Sequence, residues 1–409
     1  MEKEKLIIKN FGPIKNVELD LGRFNILIGE QATGKSTVAK VLAVCRYFSF
    51  IVEETRTTNQ NVFSGGLDLW GLLEYEKKDT VIEYYGNHYS LICRYDTDVE
   101  RILYDDEGNE IGTEEIGFTL HLTPISKDFK HLLMELDKVA PKAYHKTGSM
   151  TLSLYRKVPT SFYLNDVKNV MDNPFYLPTQ RGLQSIFDIG KNSIQNLSSA
   201  LFIQLSKMDG IARLYKQETY IEPLDIYYVN RNGHGYIRKA KETEFYSLYN
   251  AASGYQSMIP IVLTIKYYTE LKKKPKTLLI EEPELDVFPV AQNKLIQYIS
   301  EKSKLHGSMV LITTHSPYTL TSLNNMMYAY QVGQIHPEKV SKEIDKKYWL
   351  NPDDVSAYML KTDGSYEDIF DREEGLIKAE KIDNASTEIN KVFDELLNIE
   401  FKENELNTN

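Results

Sequence analysis

The chain carries the stretch GEQATGKST at residues 29–37. It fits the pattern of two glycines with four residues between them, followed by lysine and then serine or threonine. Residues 24–28, FNILI, predict a buried strand, and residues 37–42, TVAKVL, predict the start of a helix with an apolar face. A glycine-rich turn from strand to helix directs backbone N–H groups and the positive end of the helix dipole toward an anion. The stretch therefore predicts a phosphate-binding loop in an α/β fold.

The residue types within this loop suit the binding of a nucleotide. Lys35 would reach the β- and γ-phosphates, and the Ser36 hydroxyl would hold Mg²⁺. An ordinary glycine-rich turn is the alternative, and it is disfavoured because a strand and a helix flank the motif on the required sides. The residues predicted to contact the nucleotide are Gly29, Gln31, Ala32, Thr33, Gly34, Lys35, Ser36 and Thr37.

Length and composition predict a globular protein with more than one lobe. The 409 residues can bury a large core, and 42% hydrophobic with 26% charged residues is ordinary for a soluble domain. The net charge of −10 argues against a protein coated in nucleic acid, although a local basic groove could still contact it. Cys45 and Cys93 lie far apart without metal-binding spacing, which suits a reducing compartment. With neither a signal peptide nor an apolar run of membrane-spanning length, we expect a cytoplasmic protein that contacts no membrane.

Turns and apolar patterns divide the chain into four predicted parts. Residues 1–125 carry the loop and a β-meander, predicted where strand-like runs between 80 and 111 are separated by turn residues. Residues 126–215 are mainly helical in pattern and form an insertion. Residues 216–330 complete the nucleotide-binding domain, and residues 331–409 form a C-terminal extension that ends in an amphipathic helix.

A second informative stretch, TLLIEEPE at residues 277–284, predicts a strand that ends in two carboxylates. They would lie at the C-terminal edge of a parallel sheet, where such sheets bind ligands. Glu281 would hold Mg²⁺ directly or through water, and Glu282 would polarise the attacking water. The alternative is a strand that runs into an acidic helix cap.

Two further segments stand where a nucleotide site requires them. His315 follows the strand-like run 309–314 and could sense the γ-phosphate, although a lone histidine is more often a surface residue. Ser253 is a predicted helix N-cap, and Gly254 permits a phosphate to approach the helix N-terminus closely. A plain helix start that meets no ligand is the alternative for this pair. Four elements in the expected order make a stronger signal than any one of them alone.

Together these motifs resemble the head domain of ATP-binding-cassette (ABC) ATPases. More narrowly, they resemble the AAA-family branch that contains RecF, the chromosome-maintenance ATPases and the ATPase half of the overcoming-lysogenization-defect nucleases. Within that family, residues 29–36 match Walker A, and Glu281 with Glu282 match Walker B and its catalytic glutamate. His315 matches the switch histidine.

The resemblance also assigns the remaining site residues. Ser253, Gly254 and Gln256 match the signature motif, which in this family completes the site of the opposite protomer. Residues 177–181, LPTQR, resemble the segment after the lobe-linking strand, which makes Gln180 the candidate for the Mg²⁺-linked glutamine of the Q-loop, with a solvated loop glutamine as the alternative. The implied catalytic residues are Lys35, Glu282 and His315, and the implied metal ligands are Ser36, Gln180 and Glu281.

The resemblance implies an α/β fold, namely a P-loop NTPase of the ABC-ATPase head type with a β-meander lobe and a helical insertion. It implies ATP and Mg²⁺ as cofactors and a homodimer formed through the ATP sites. The resemblance further implies a role in bacteriophage defence. Because the residues after His315 form no recognisable nuclease metal pattern, we expect the chain to be a regulator that controls a separate effector protein. The alternatives are a RecF-like repair ATPase with ATP-gated DNA binding and a scaffold that binds ATP without turnover.

Two apolar stretches of the extension have two interpretations. Residues 348–350, YWL, and the predicted helix 385–401 either pack on the chain's own ATPase domain or dock the effector. Packing on the chain itself is favoured because amphipathic stripes usually face a core.

Overall fold

The computed structural model describes the chain in nine segments, namely residues 4–46, 62–95, 100–104, 110–115, 118–127, 150–151, 174–179, 198–272 and 277–378. Their strands are β1 (Glu4–Phe11), β2 (Ile14–Leu21), β3 (Phe24–Gly29), β4 (Val81–Tyr85), β5 (Tyr89–Tyr95), β6 (Glu100–Tyr104), β7 (Glu110–Glu115), β8 (Phe118–Pro124), β9 (Met150–Thr151), β10 (Phe175–Leu177), β11 (Thr219–Ile221), β12 (Ile226–Arg231), β13 (His234–Lys239), β14 (Tyr246–Ser247), β15 (Leu278–Glu281), β16 (Val310–Thr314), β17 (Val355–Leu360), β18 (Tyr366–Asp368), β19 (Phe370–Asp371) and β20 (Leu376–Ile377).

The α-helices of the same segments are α1 (Lys35–Arg46), α2 (Val62–Leu69), α3 (Ser199–Leu214), α4 (Ser253–Lys266), α5 (Pro289–His306), α6 (Pro317–Gly333) and α7 (Pro337–Glu343). A π-helical turn, Tyr267–Leu271, extends α4. Within the segments described above, no helix combines the length and the apolar character needed to cross a lipid bilayer.

The central sheet has the strand order β10-β15-β16-β3-β17-β18. The first five strands run parallel, and β18 pairs antiparallel with β17. Every residue of β15 and β16 is buried, as expected for a parallel sheet covered on both faces. The predicted α/β fold is confirmed, and β3 with α1 frames the predicted loop.

Alternate residues of the central strands enter two cores on opposite faces of the sheet. Leu27, Leu279 and Leu311 pack in one core with the buried face of α1. Ile26, Ile280 and Ile312 pack in the other core, together with α3, α4, α5 and α6. Helices therefore cover the sheet on both sides. The loops that follow the parallel strands leave the sheet at the edge formed by the C-terminal ends of those strands.

A second sheet, antiparallel with the order β2-β1-β4-β5-β8-β9, shares the core of α1. The hairpin of β4 and β5 lies where the meander was predicted. The third strand of that meander pairs differently, since β6 forms a separate hairpin with β7 and β8 lies beside β5. A third sheet, β11-β12-β13-β14, leads into α4.

The predicted insertion and extension both contribute to the central sheet. Strand β10, within residues 126–215, pairs with β15, and β17, within residues 331–409, pairs with β3. Of the predicted helices of the insertion, the described residues contain α3, and the amphipathic helix 385–401 lies outside them. Trp349 and Leu350 are buried, which supports packing of this stretch on the chain's own domain.

Candidate nucleotide-binding site

Three adjacent parallel strands bring the predicted site residues to one edge of the sheet. Glu281 lies opposite Thr313 on β16, and Thr313 lies opposite Leu27 on β3. Because the strands run in the same direction, the residues that follow them emerge together. Glu282 and His315 therefore lie at the same edge as the loop that follows β3.

The loop between β3 and α1 has the backbone of a tight phosphate-binding turn. Ala32 has φ 63° and Gly34 has φ 96°, so the chain enters the left-handed region twice before α1 begins. The Thr33 hydroxyl donates to the Glu30 carbonyl at 2.9 Å and closes the turn. A Cβ at Gly34 would lie 3.0 Å from a side-chain carbon of Ile14, so both φ and space favour glycine there.

Lys35 lies buried beneath this loop. Its ammonium donates to the carbonyl oxygens of Gly29 at 2.9 Å and Glu30 at 2.7 Å. Burial lowers the pKa of Lys35 to about 8, and the carboxylates of Glu282, Glu284 and Glu281 act in the opposite direction. The lysine thus bonds to the loop carbonyls and also feels the charge of three acidic residues that follow β15 or end it.

Both oxygens of the Glu281 carboxylate accept a hydrogen bond. The residue is buried, with 4% of its surface exposed. The Tyr176 hydroxyl on β10 donates to Oε1 at 2.5 Å, and the Thr179 backbone N–H donates to Oε2 at 3.3 Å. Burial is the main reason that the pKa of Tyr176 is well above its usual value, so the hydroxyl stays protonated and acts as a donor.

Glu282 turns away from the strand and toward His315. Its φ of 41° ends the extended backbone, while its N–H donates to the Thr313 carbonyl at 2.8 Å. The Glu282 Oε1 and His315 Nε2 atoms are 3.1 Å apart, and the two side chains are 27% and 31% exposed. Both can therefore reach a ligand at the sheet edge.

Glu284 joins the ends of β15 and β16. Its Oε1 accepts from the Thr314 hydroxyl at 2.7 Å and from the His315 backbone N–H at 2.8 Å. Sequence reasoning assigned no role to Glu284 or Tyr176. The third glutamate of EEPE offered a signal for Glu284, because it follows the same strand as Glu281 and Glu282.

The N-terminus of α4 differs in one detail from the prediction. Ala252, and not Ser253, is the N-cap, and no side chain caps this end. Ser253 is the first helical residue and is exposed. A Cβ at Gly254 would lie 3.0 Å from the Asp286 carbonyl oxygen, so glycine permits the contact between α4 and the turn after β15.

The two predicted site glutamines, Gln256 and Gln180, are described to different extents. The Gln256 side-chain amide donates to the carbonyls of Tyr249 and Ala251, so it holds the segment before α4. Gln180 lies outside the described residues, and Thr179 before it contacts Glu281.

The other predicted residues of the loop lie along its surface and at the start of α1. Gln31 and Ser36 are exposed, and Thr37 is buried. The structure thus brings together the loop, Glu281, Glu282 and His315, while α4 packs against α3, α5 and β11.

Several solved structures are similar to this chain. The SMC head domain from Thermotoga maritima is 11% identical with a TM-score of 0.36, over 79% of this chain and 92% of that chain. An SmcHead bound to the C-winged helix domain of ScpA is 13% identical with a TM-score of 0.39, over 79% and 92%. The Smc head domain with an extended coiled coil, bound to the C-terminal domain of ScpA from Pyrococcus furiosus, is 10% identical with a TM-score of 0.34, over 78% and 91%.

Sequence comparison gives the family. No curated protein sequence matches the chain significantly. The family model described as an AAA ATPase domain matches residues 1–209 and 181–320, which is more than half of the chain. The chain belongs to the family of AAA ATPase domains.

Proposed function

We propose that this protein binds ATP with Mg²⁺ at the loop after β3 and hydrolyses it. The observation that carries the proposal is the convergence of Lys35, Glu281, Glu282 and His315 at one edge of the parallel sheet. Each of these residue types has a role in phosphoryl transfer, which depends on positioning and on electrostatic stabilisation.

Lys35 would exchange its present partners for the nucleotide. In the free protein its ammonium donates hydrogen bonds to two loop carbonyl oxygens, which carry no net charge. The phosphates of ATP carry full negative charge, so an ammonium–phosphate hydrogen bond adds a charge–charge attraction that an ammonium–carbonyl bond lacks. The N-terminus of α1, which begins at Lys35, would add its backbone N–H groups and its dipole.

The donor set at this edge fits Mg²⁺. Mg²⁺ prefers oxygen ligands and is usually held by one or two carboxylates, nucleotide phosphates and water. The exposed Ser36 hydroxyl and the Glu281 carboxylate would supply the protein ligands. Bound there, the metal would neutralise charge that develops on the phosphate oxygens.

Glu282 would act as the general base. A water that attacks the γ-phosphorus would transfer its proton to the Glu282 carboxylate as the bond to the β-phosphate oxygen breaks, giving ADP and phosphate. His315, 3.1 Å from Glu282, would orient the carboxylate and contact the γ-phosphate. Glu284 would keep the His315 backbone in place.

We extend the proposal to a head-to-head dimer. Ser253 is exposed at a helix N-terminus that no side chain caps, so its N–H groups can meet the γ-phosphate held by a second copy. Exposed apolar side chains support a partner near this helix end. Phe288 is 75% exposed and Val290 62%, in the segment that follows Asp286, whose carbonyl contacts Gly254.

The resemblance to the defence branch of these ATPases supports a regulatory role in bacteriophage defence. ATP-driven dimerisation would then control a separate effector protein in the cytoplasm. Turnover with and without duplex DNA tests this role, because a RecF-like repair ATPase is stimulated by DNA and a scaffold shows no turnover.

Calorimetric titration with ATP and Mg²⁺ tests the loop assignment. Lys35→Ala removes the positive charge that would contact the phosphates of ATP, so it is expected to abolish binding. Lys40→Ala, one turn further along α1, is the matched control and is expected to bind as the wild type does. Unchanged ATP affinity in Lys35→Ala would falsify the assignment.

A further inference from the structure

The hydrogen bond between Tyr176 and Glu281 links two strands that are far apart in sequence. Tyr176 lies opposite Leu279 in the parallel pairing of β10 with β15, and both residues belong to the same core. Glu281 is two residues beyond Leu279, so its side chain leaves the same face of the sheet. The phenol ring thus extends along the strand direction and ends at the Glu281 carboxylate, with 2.5 Å between the oxygens.

The ring of Tyr176 is itself held in place. Tyr176 is fully buried, and the ring of Trp70 packs against it with centroids 4.7 Å apart and an interplanar angle of 58°. Trp70, which follows α2, is 5% exposed. The hydroxyl therefore has a fixed position, and its direction toward Glu281 follows from packing.

The strand alone does not fix the position of the Glu281 carboxylate. A glutamate side chain has one more rotatable bond than the shorter acidic side chain, aspartate, so hydrogen-bond partners are needed to hold its carboxylate in place. A hydroxyl on one oxygen and the Thr179 N–H on the other restrict it to one orientation.

We propose that Tyr176 is a positioning residue that orients Glu281 toward the Mg²⁺ of the bound nucleotide. The inference rests on the proposed function of the site, and it adds a residue outside the motifs that define that site. The hydroxyl contacts a metal ligand and not the metal, and partners of that kind commonly change metal affinity by about 10–100-fold when removed.

Tyr176→Phe tests this role, because it removes the hydroxyl and keeps the ring against Trp70. The measurement is the Mg²⁺ concentration at which ATP binding is half-maximally tightened, together with ATP affinity in EDTA. We expect the Mg²⁺ midpoint to rise about tenfold, while affinity in EDTA stays within about twofold of the wild type.

Tyr84→Phe is the matched control. Tyr84 is also buried and also donates its hydroxyl to a carboxylate, that of Glu4, at 2.9 Å in the antiparallel sheet. It is expected to lower stability without moving the Mg²⁺ midpoint. A Mg²⁺ midpoint that stays at the wild-type value in folded Tyr176→Phe overturns the inference, as does an equal loss of affinity with and without Mg²⁺.

A second variant covers the case in which Tyr176→Phe does not fold. Trp70→Phe keeps the hydroxyl but loosens the ring, and we expect a smaller rise in the Mg²⁺ midpoint; no rise in folded Trp70→Phe would then contradict the inference. Failure of the proposed function is recognised separately, because the wild type would then show no ATP binding or no tightening by Mg²⁺.

Discussion

Among single residues, two adjacent glutamates differ in exposure in a way that fits the different roles proposed for them. Glu281 is 4% exposed and faces the core side of β15, whereas Glu282 is 27% exposed and leaves the strand with φ 41°. A buried carboxylate held by fixed donors suits a metal, and an exposed one beside His315 suits a base.

Replacement of Glu282 by glutamine separates binding from chemistry. The amide is nearly isosteric but cannot accept a proton, so Glu282→Gln should bind ATP normally and hydrolyse it about 10²–10⁴-fold more slowly. Phosphate release in single-turnover and steady-state experiments measures the change. Glu338→Gln, exposed on α7, serves as the control. Wild-type turnover in Glu282→Gln would show that another residue is the base.

The pKa of Lys35 predicts how ATP affinity depends on pH. Since that pKa is about 8 in the free protein, Lys35 loses its proton as pH rises through 8, whereas phosphate binding favours the charged form. Affinity should therefore be retained at pH 7 and fall by up to about tenfold per pH unit above 8. Calorimetry at pH 8.5 in buffers of different ionisation enthalpy should detect proton uptake. Binding without proton uptake would contradict the prediction.

The sequence predicts those site residues that belong to a local pattern. Lys35, Glu281 and Glu282 belong to short motifs that also define the strand ends, so residue type and position could be inferred together. Tyr176 could not be found in this way. It meets Glu281 across 105 residues of sequence, and the contact depends on which strand lies beside β15.

Among the elements, the ends of β15 and β16 are connected by the hydrogen bonds that Glu284 accepts from Thr314 and His315, and we predict the effect of removing them. Glu284→Ala would leave the Thr314 hydroxyl and the His315 N–H without their present acceptor, at a cost of about 1–3 kcal/mol. Because the His315 backbone would also shift, turnover should fall by about 10²-fold with little change in ATP affinity. Urea denaturation and kcat measure the two effects.

Glu284→Gln is the control for Glu284→Ala. Its amide keeps an acceptor oxygen, so it should lose less stability than Glu284→Ala. Equal turnover in Glu284→Ala and the wild type would mean that the hydrogen bonds of Glu284 do not position His315.

Element boundaries were predicted less well than element types. The sequence predicts a helix capped by Ser253, and α4 is present, but its N-cap is Ala252. A serine side chain favours the N-cap position by a local hydrogen bond only. At this helix end Gly254 also lies close enough to the Asp286 carbonyl that a Cβ would be 3.0 Å from its oxygen, and such a tertiary contact is not visible in the local sequence.

At the scale of the whole molecule, the proposed dimer makes each ATP site depend on two chains. Ser253→Arg would place bulk and charge at the exposed N-terminus of α4. It should abolish turnover and leave the ATP affinity of the monomer nearly unchanged. Ser341→Arg, exposed on α7, is the control.

Mixing two inactive variants gives a stricter test of the dimer. A heterodimer of Ser253→Arg and Lys35→Ala would contain one composite site with both wild-type contributions, so partial turnover should return. Heterodimers that form but stay inactive would contradict the head-to-head arrangement.

The order of the central sheet also determines when the site can form during synthesis. The Asn25 side chain on β3 donates to the Val310 carbonyl, 285 residues later, and Tyr358 on β17 bonds to Asp20 across 338 residues. At a translation rate of about 5–20 residues per second, β16 is synthesised roughly 15–60 s after β3. A nascent chain that ends before β16 therefore leaves both edges of β3 unpaired, and unpaired strand edges favour aggregation until β16 and β17 have been made.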